Sequence, residues 1–147
     1  MPKPLPKSFA PDEARMLALK VLADDPFPVM TTVDGDQPCA RPVSPLRSDD
    51  FVVWIASLRN SSKTAEIEVN PKTELCYMTR DHDQVRITGM IHTITDEAVR
   101  FELWNQSPLL KQFIPDVNDP QFILYKVEPL QVRYMIEGAL EYTQVPL

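Results

Sequence analysis

The strongest constraint on the fold is an unbroken apolar run from Phe51 to Ala56. A strand with one face in water alternates apolar and polar residues, but this run has no polar position, so it predicts a strand covered on both faces. The run is far shorter than the roughly 20 residues that cross a bilayer. The sequence therefore predicts a central strand inside a globular domain.

Signals for a helix and a hairpin precede this strand. Apolar residues at helical spacing predict a helix over Asp12–Asp24, which Pro26 ends. Val29–Val33 has the composition of a strand. Asp34-Gly35 supplies the positive φ values of a tight turn into a second strand, Gln37–Leu46.

A second helix and two further strands follow the central run. The helix spans Ser61–Val69 and ends at Asn70-Pro71, because the residue before a proline avoids the α region. The strands are Thr73–Thr79 and Val85–Thr93, and Gly89 marks a bend or bulge in the second one.

The last elements are one helix and one interrupted strand. Thr95 can cap a helix that runs to about Trp104. The final strand comprises Gln121–Val127 and Gln131–Tyr134, with a break at Pro129. Short connections favour antiparallel pairing, and about six such strands can close on themselves. We therefore expect a mainly β fold with peripheral helices.

The chain of 147 residues fits one domain with a single core. Prolines at positions 2, 4 and 6 predict a flexible arm over residues 1–10, which leaves residues 11–147 as the domain. The N-terminus lacks the apolar region of a signal peptide, so we expect a cytoplasmic protein.

Composition and spacing exclude several function classes. A net charge of −6 gives no attraction to nucleic acid or to an anionic membrane. The three glycines are too dispersed for a dinucleotide fingerprint or a phosphate-binding loop. His82 and His92 have no Cys, His or carboxylate partners at metal-ligand spacing, so no metal site is expected. No catalytic acid or base is evident.

The segment from Ser57 to Thr64 combines cations and hydroxyls at the start of the second helix. A positive charge there opposes the helix dipole at a cost of about 0.3–1 kcal/mol, and a bound phosphate would make the charge favourable at this position. Lys63 and the hydroxyls of Ser61 or Ser62 could supply such a site. The alternative is that Ser61 or Ser62 only caps the helix and Lys63 is solvated.

A second basic element, Arg41-Pro42-Val43, lies on the second predicted strand. With these two elements in place, the order of segments along the chain resembles that of the pyridoxamine 5′-phosphate oxidase-like family of flavin-binding split barrels, especially its short general-stress-protein branch. The resemblance covers roughly Phe27 to Tyr134. The matching features are Gly35, Arg41-Pro42-Val43, Val53–Ser57, Ser61-Ser62-Lys63, Asn70-Pro71 and Gln84–Gly89.

This resemblance implies a six-stranded antiparallel split β-barrel that binds FMN between the subunits of a homodimer. It implies that Arg41 and Lys63 contact the FMN phosphate and that Ser57, Ser61 and Ser62 add hydrogen bonds. Pro42, next to Arg41, belongs to the same cofactor-binding segment. It places three residues near the isoalloxazine ring, namely Val43, Ser44 and Ala56. Gln84 would lie near the polar edge of the ring or across the dimer.

The implied function is that of an FMN-dependent oxidoreductase with an unidentified small-molecule substrate. The alternatives are a flavin-binding sensor or storage module without turnover, and a split barrel that holds deazaflavin or haem. The segment Glu141–Leu147 is acidic and apolar, unlike the basic extension of the larger oxidases, so a true pyridoxamine 5′-phosphate oxidase is not expected. We expect Arg133 in a salt bridge, and a dimer interface that includes Phe51–Ala56 and Thr73–Thr79.

Overall fold

The computed structural model describes residues 8–147. Most of the arm predicted for residues 1–10 therefore lies outside the described residues. Of the remaining part, Phe9 packs edge-on against Tyr134 with a ring-centroid distance of 5.4 Å. At least this residue of the predicted arm contacts the core.

The described chain contains four helices and eight strands. The helices are α1 (Pro11–Asp24), α2 (Ser62–Val69), α3 (Glu97–Asn105) and α4 (Pro108–Phe113). The strands are β1 (Val29–Asp34), β2 (Gln37–Pro42), β3 (Arg47–Asp49), β4 (Val52–Leu58), β5 (Lys72–Met78), β6 (Gln84–Thr93), β7 (Phe122–Met135) and β8 (Thr143–Val145). Among residues 8–147, no helix is long and apolar enough to cross a membrane.

The strands form one antiparallel sheet in the order β2-β1-β5-β6-β7-β4-β3, and β8 pairs with β7. The prediction of a mainly β, antiparallel fold with peripheral helices is confirmed. The path of paired strands is not closed, because β2 and β3 stand at its two ends. The two strands beyond the expected six, β3 and β8, have three residues each and are too short to show a periodic pattern.

The covered faces predicted for the apolar run are confirmed by two hydrophobic clusters on opposite faces of β4. The predicted central position is wrong, because β4 stands next to the end strand β3 in the sheet order. Val53 and Ile55 belong to the interior cluster, which also contains Ala14 and Ala18 of α1. Trp54 belongs to a second cluster, in which α3 and α4 cover β4 and β7. Strand β4 therefore joins the interior cluster to the α3–α4 layer.

Two predicted boundaries in the first hairpin are wrong. The two-residue turn is Gly35-Asp36, because Asp34 pairs with Gln37, and of the turn residues Gly35 has a positive φ of 63°. Strand β2 ends at Pro42 instead of Leu46, because Pro42 and Pro45 have no N–H to continue the ladder.

Two further boundaries differ from the prediction. Helix α3 is capped by Asp96, whose side chain accepts a hydrogen bond from Val99 N, and not by Thr95. Strand β7 continues through Pro129, where the sequence predicted a break. Pro129 lies opposite Gly89, where the β6–β7 register shifts, and a bulge tolerates a residue that cannot donate. The register shift falls at Gly89, where the sequence predicted a bend or bulge, but the extra residue is Leu130, so the bulge lies in β7 opposite Gly89.

The close approach of β6 and β7 at this bulge makes Gly89→Ala a test of the fold. A Cβ atom at Gly89 would lie 2.7 Å from the carbonyl oxygen of Glu128 and 2.9 Å from Cγ1 of Val127. We expect a loss of about 1–3 kcal/mol in the free energy of unfolding, measured by urea denaturation.

Gly35→Asn is the matched control, because a Cβ there meets no atom within 4 Å and Asn tolerates a positive φ. It should lower the free energy of unfolding clearly less than Gly89→Ala does. Equal stability of the two variants would contradict the packing at the bulge.

Candidate functional site

A cluster of three hydroxyl groups joins the end of β4 to the start of α2. The Oγ atom of Ser57 lies 3.1 Å from that of Ser61 and 2.9 Å from Oγ1 of Thr64. Thr64 donates its hydroxyl to the carbonyl of Leu58 at 2.6 Å, and its N–H donates to Ser61 Oγ at 3.2 Å. Ser61 is therefore the N-cap of α2, as one of the two sequence interpretations required.

Lys63 lies in the first turn of α2 and is partly buried. Within residues 8–147, its amino group makes no ion pair and no hydrogen bond to a protein acceptor. Burial, followed by the nearby positive charge of Arg41, lowers the pKa of Lys63 below that of an ordinary lysine. The side chain is thus a partly desolvated cation without a counter-charge from the described chain, and not a freely solvated one.

Arg41 approaches the same region from β2, where it is held by three acceptors. Its guanidinium donates to Thr32 Oγ1 at 2.7 Å, to Glu66 Oε2 at 3.2 Å and to the carbonyl of Met30 at 3.4 Å. Glu66 lies on α2, three residues beyond Lys63. Its single carboxylate pairs with Arg41, so Arg41, Glu66 and Lys63 together retain one positive charge.

A cavity of about 390 Å³ opens beside Lys63, and we call it the basic compartment. One wall comes from the β4–α2 junction and the other from α4. Its lining residues are Ala56, Ser57, Leu58, Ser61, Lys63, Leu110, Phe113 and Ile114. The structure therefore brings four of the predicted site residues to one cavity.

A second cavity of about 340 Å³ adjoins the first, and we call it the apolar compartment. The two share three lining residues, Ala56, Leu110 and Phe113. Its full lining is Ser44, Pro45, Leu46, Ala56, Gln106, Ser107, Pro108, Leu109, Leu110 and Phe113. Ser44 and Ala56, which the family resemblance assigned to the flavin ring, thus meet here.

Four of the other predicted residues line neither compartment, namely Arg41, Pro42, Val43 and Ser62. Arg41 is electrostatically coupled to Lys63 but is turned toward Glu66. Pro42 is exposed at the end of β2, and Val43 is buried with its N–H donated to the carbonyl of Pro28. Ser62 is the exposed first residue of α2.

Gln84 is not brought to the compartments of its own chain. It begins β6 and pairs with Met135 at one end of β7, whereas Phe122, at the other end of β7, pairs with Leu58 beside the basic compartment. Its side chain accepts a hydrogen bond from Tyr142 Oη at 2.8 Å. A contact of Gln84 with a cofactor therefore depends on the alternative in which it reaches across a dimer.

Sequence reasoning missed helix α4, which supplies one wall of both compartments. The signal was Ser107-Pro108, a capping residue followed by proline at the first helical position. Ser107 Oγ accepts from Leu110 N at 3.3 Å. Trp104 Nε1 donates to the carbonyl of Ile114 at 2.7 Å and fastens the end of the helix to α3.

The salt bridge predicted for Arg133 is confirmed, away from the compartments. Arg133 lies 2.7 Å from Glu74 Oε1, and Arg86 binds both oxygens of the same carboxylate. Burial opposes the charge of Glu74, but the hydrogen bonds and charges of the two arginines lower its pKa below that of an ordinary glutamate.

In the part of the chain described, no group of three or more His, Cys, Asp or Glu residues could hold a metal ion.

The two serines at the start of α2 have different structural roles, which a pair of variants separates. Ser61→Ala removes the cap of α2 and one member of the hydroxyl cluster, so we expect a loss of about 1 kcal/mol in the free energy of unfolding. Ser62→Ala, at an exposed position, should leave it unchanged. Thermal and urea denaturation of the ligand-free variants measure the difference, and an equal loss in both would contradict the assignment of Ser61 as the cap.

Comparison with solved structures shows that this architecture recurs. A NimC/NimA family protein from Clostridium acetobutylicum is 21% identical with a TM-score of 0.76, and the match covers 91% of this chain and 92% of that one. General Stress Protein 26 from Bacillus anthracis is 23% identical with a TM-score of 0.73, at 89% and 98% coverage. A pyridoxamine 5′-phosphate oxidase-related, FMN-binding protein from Nostoc punctiforme is 16% identical with a TM-score of 0.70, at 94% and 91% coverage.

Comparison with curated proteins gave no match. Comparison with protein-family models gave a match to the family described as pyridoxamine 5′-phosphate oxidase, over residues 17–136. The matched range runs from α1 through the end of β7 and includes β4, α2 and both compartments. On this match, the chain belongs to the pyridoxamine 5′-phosphate oxidase family.

Proposed function

We propose that the protein binds FMN with the phosphate in the basic compartment and acts as a flavin-dependent oxidoreductase. The observation that carries this proposal is Lys63, a partly desolvated cation without an anionic partner in residues 8–147. It lines a cavity at the start of a helix. An isolated cation in such a place raises the free energy of the folded chain, and an anionic ligand removes that cost.

The charges around Lys63 suit a phosphate monoester. Such a group carries about −1.5 to −2 charges near neutral pH and accepts several hydrogen bonds. Lys63 supplies a charge, and the hydroxyls of Ser57 and Ser61 lie on the same wall. Glu66 is engaged by Arg41, so its carboxylate does not stand as an unpaired negative charge beside the cavity.

The basic compartment also suits the rest of the cofactor. Each compartment lies within the roughly 300–1,000 Å³ typical of small-molecule sites, and their shared wall is apolar. With the phosphate at Lys63, the ring would lie along the shared wall at Ala56, with Val43 and Ser44 near its edge and the rest of the apolar compartment open beside it. The FMN-binding relative from Nostoc punctiforme supports this choice of cofactor.

Bound flavin would supply the hydride and electron chemistry, and the protein would bind and orient it. Apart from Lys63, which would pair with the phosphate, the described residues that line the two compartments include no residue type that commonly acts as a general acid or base. Turnover is therefore tested by reduction of the FMN-loaded protein with NADH or NADPH, followed by reoxidation. A protein that binds FMN and fails both steps would be a sensor or storage module.

A homodimer is part of the proposal, with β5 in the interface. Val29 is 38% exposed and pairs with Cys76, while Met78 on the same strand as Cys76 is 49% exposed, which leaves apolar side chains on this face. Such a dimer would give Gln84 its route to the cofactor of the other subunit.

The first test of the proposed cofactor is Lys63→Met, which keeps an apolar stem and removes the charge. Loss of one charge-assisted contact weakens binding by about 1.5–3 kcal/mol, so FMN affinity should fall by about ten- to a hundredfold in fluorescence titrations. Riboflavin, which lacks the phosphate, should bind both proteins alike. The ligand-free variant should unfold at the same or a slightly higher temperature, because a desolvated cation has been removed.

Lys20→Met is the matched control, because Lys20 is an exposed lysine on α1, outside the proposed site and the proposed interface. It should leave both affinities unchanged. A Lys63→Met variant that keeps full FMN affinity, or that loses FMN and riboflavin equally, would show that this segment does not bind the phosphate. A flavin spectrum, with mass identification of the released cofactor, separates FMN from deazaflavin or haem.

The second test concerns assembly. Light scattering of the full chain at micromolar concentration should give the mass of a dimer, and Met78→Glu should shift it toward the monomer by placing like charges at the proposed interface. Leu130→Glu, at a residue that is 61% exposed on β7, is the control and should remain dimeric. A wild-type monomer would refute this part of the proposal.

A further inference from the structure

Helix α4 presents two apolar faces instead of one. Leu110 and Ile114 are buried and pack into the cluster beneath the helix. Leu109 and Phe113 have the same spacing, which places them on one face, but they are 58% and 75% exposed. Both line the apolar compartment. The second face is therefore directed at a cavity and not at the core.

The position of this second face is fixed by the contacts of α4. Ser107 caps the helix, Pro108 stands at its start, and Trp104 donates a hydrogen bond to the carbonyl of Ile114. Burial of Leu110 and Ile114 holds the helix against the sheet. Leu109 and Phe113 thus form a preformed apolar wall, and exposed apolar groups arranged in this way mark a ligand site or an interface.

Charge separates the two compartments. The basic compartment contains Lys63, whereas none of the described residues that line the apolar compartment is charged. An ionic ligand group would lose hydration there without gaining a counter-charge, which is costly. The space is concave and of small-molecule size, which favours a small ligand over a protein surface as its occupant.

We propose that the apolar compartment is the substrate site, that it selects uncharged and largely apolar small molecules, and that Leu109 and Phe113 determine this specificity. The inference rests on the proposed flavin site, because the shared residues Ala56, Leu110 and Phe113 would place such a substrate beside the cofactor. Ser44 and Gln106 supply polar groups that can accept or donate hydrogen bonds without adding charge.

The test compares two probes with the same ring system, neutral 2-methyl-1,4-naphthoquinone and anionic 1,4-naphthoquinone-2-sulfonate. Binding is measured by calorimetry on the full chain with FMN bound, and without FMN on the Lys63→Met variant, so that the sulfonate cannot pair with Lys63 in the adjoining compartment. We expect the neutral probe to bind about tenfold more tightly or better. Equal binding of the two probes, or tighter binding of the sulfonate, would overturn the proposal.

Two variants with matched controls locate the site. Phe113→Ala should weaken the neutral probe by about three- to tenfold through loss of an aromatic contact. Phe101→Ala, which removes a 51% exposed phenylalanine of α3 outside this compartment, should not. Leu109→Arg should improve binding of the sulfonate, whereas Leu140→Arg, at a 54% exposed leucine elsewhere, should not.

Three outcomes refute the assignment, and they differ from failure of the flavin proposal. If Phe113→Ala binds the neutral probe as tightly as the wild type, the wall formed by Leu109 and Phe113 is not part of the binding site. A sulfonate affinity that Leu109→Arg does not improve would show that position 109 does not control selection by charge. A shift of Leu109→Arg from dimer to monomer would assign the wall to a second copy of the chain. Failure of the flavin proposal appears separately, as unaltered FMN binding in the Lys63→Met variant. The probe measurements made without FMN do not depend on that result.

Discussion

Burial of both faces of β4 is the constraint on which the rest of the structure depends. Val53 and Ile55 belong to the interior cluster, and Trp54, which alternates with them, packs under α3 and α4. A strand in this position cannot slip by one residue, because the shift would exchange the two sets of side chains between differently shaped clusters. The end of β4, and hence the start of α2, is fixed in space by this packing.

The candidate site follows from that fixed end. Ser57 is the last buried residue of β4, and its hydroxyl contacts the hydroxyls of Ser61 and Thr64. This network satisfies buried polar groups and orients the first turn of α2, which places Lys63 in the lining of a cavity. The cost of a partly desolvated lysine is tolerated because the surrounding packing determines its position. Such local conflicts are typical of functional sites.

Much of the fold was predictable from the sequence because its elements have strong local signals. Helix α1, the hairpin of β1 and β2, strand β4, helix α2 and the register shift at Gly89 were each recognised from periodicity, turn residues or prolines. The errors arose where tertiary context overrides local preference. Pro129 interrupts a strand in isolation, yet a bulge opposite Gly89 accommodates it. Strands of three residues, such as β3 and β8, are defined by their partners and not by their own pattern.

For the site, the sequence by itself determined the cation and the hydroxyls at the start of α2, because a charge opposing a helix dipole is visible in the order of residues. It also carried the family resemblance, through motifs of fixed order. Only the tertiary structure decided that Ser61 and not Ser62 caps the helix, that Arg41 is engaged by Glu66, and that Gln84 lies at the far end of the sheet. It also revealed α4 as the wall of both compartments. These features depend on contacts between residues distant in sequence, and such contacts leave no local pattern.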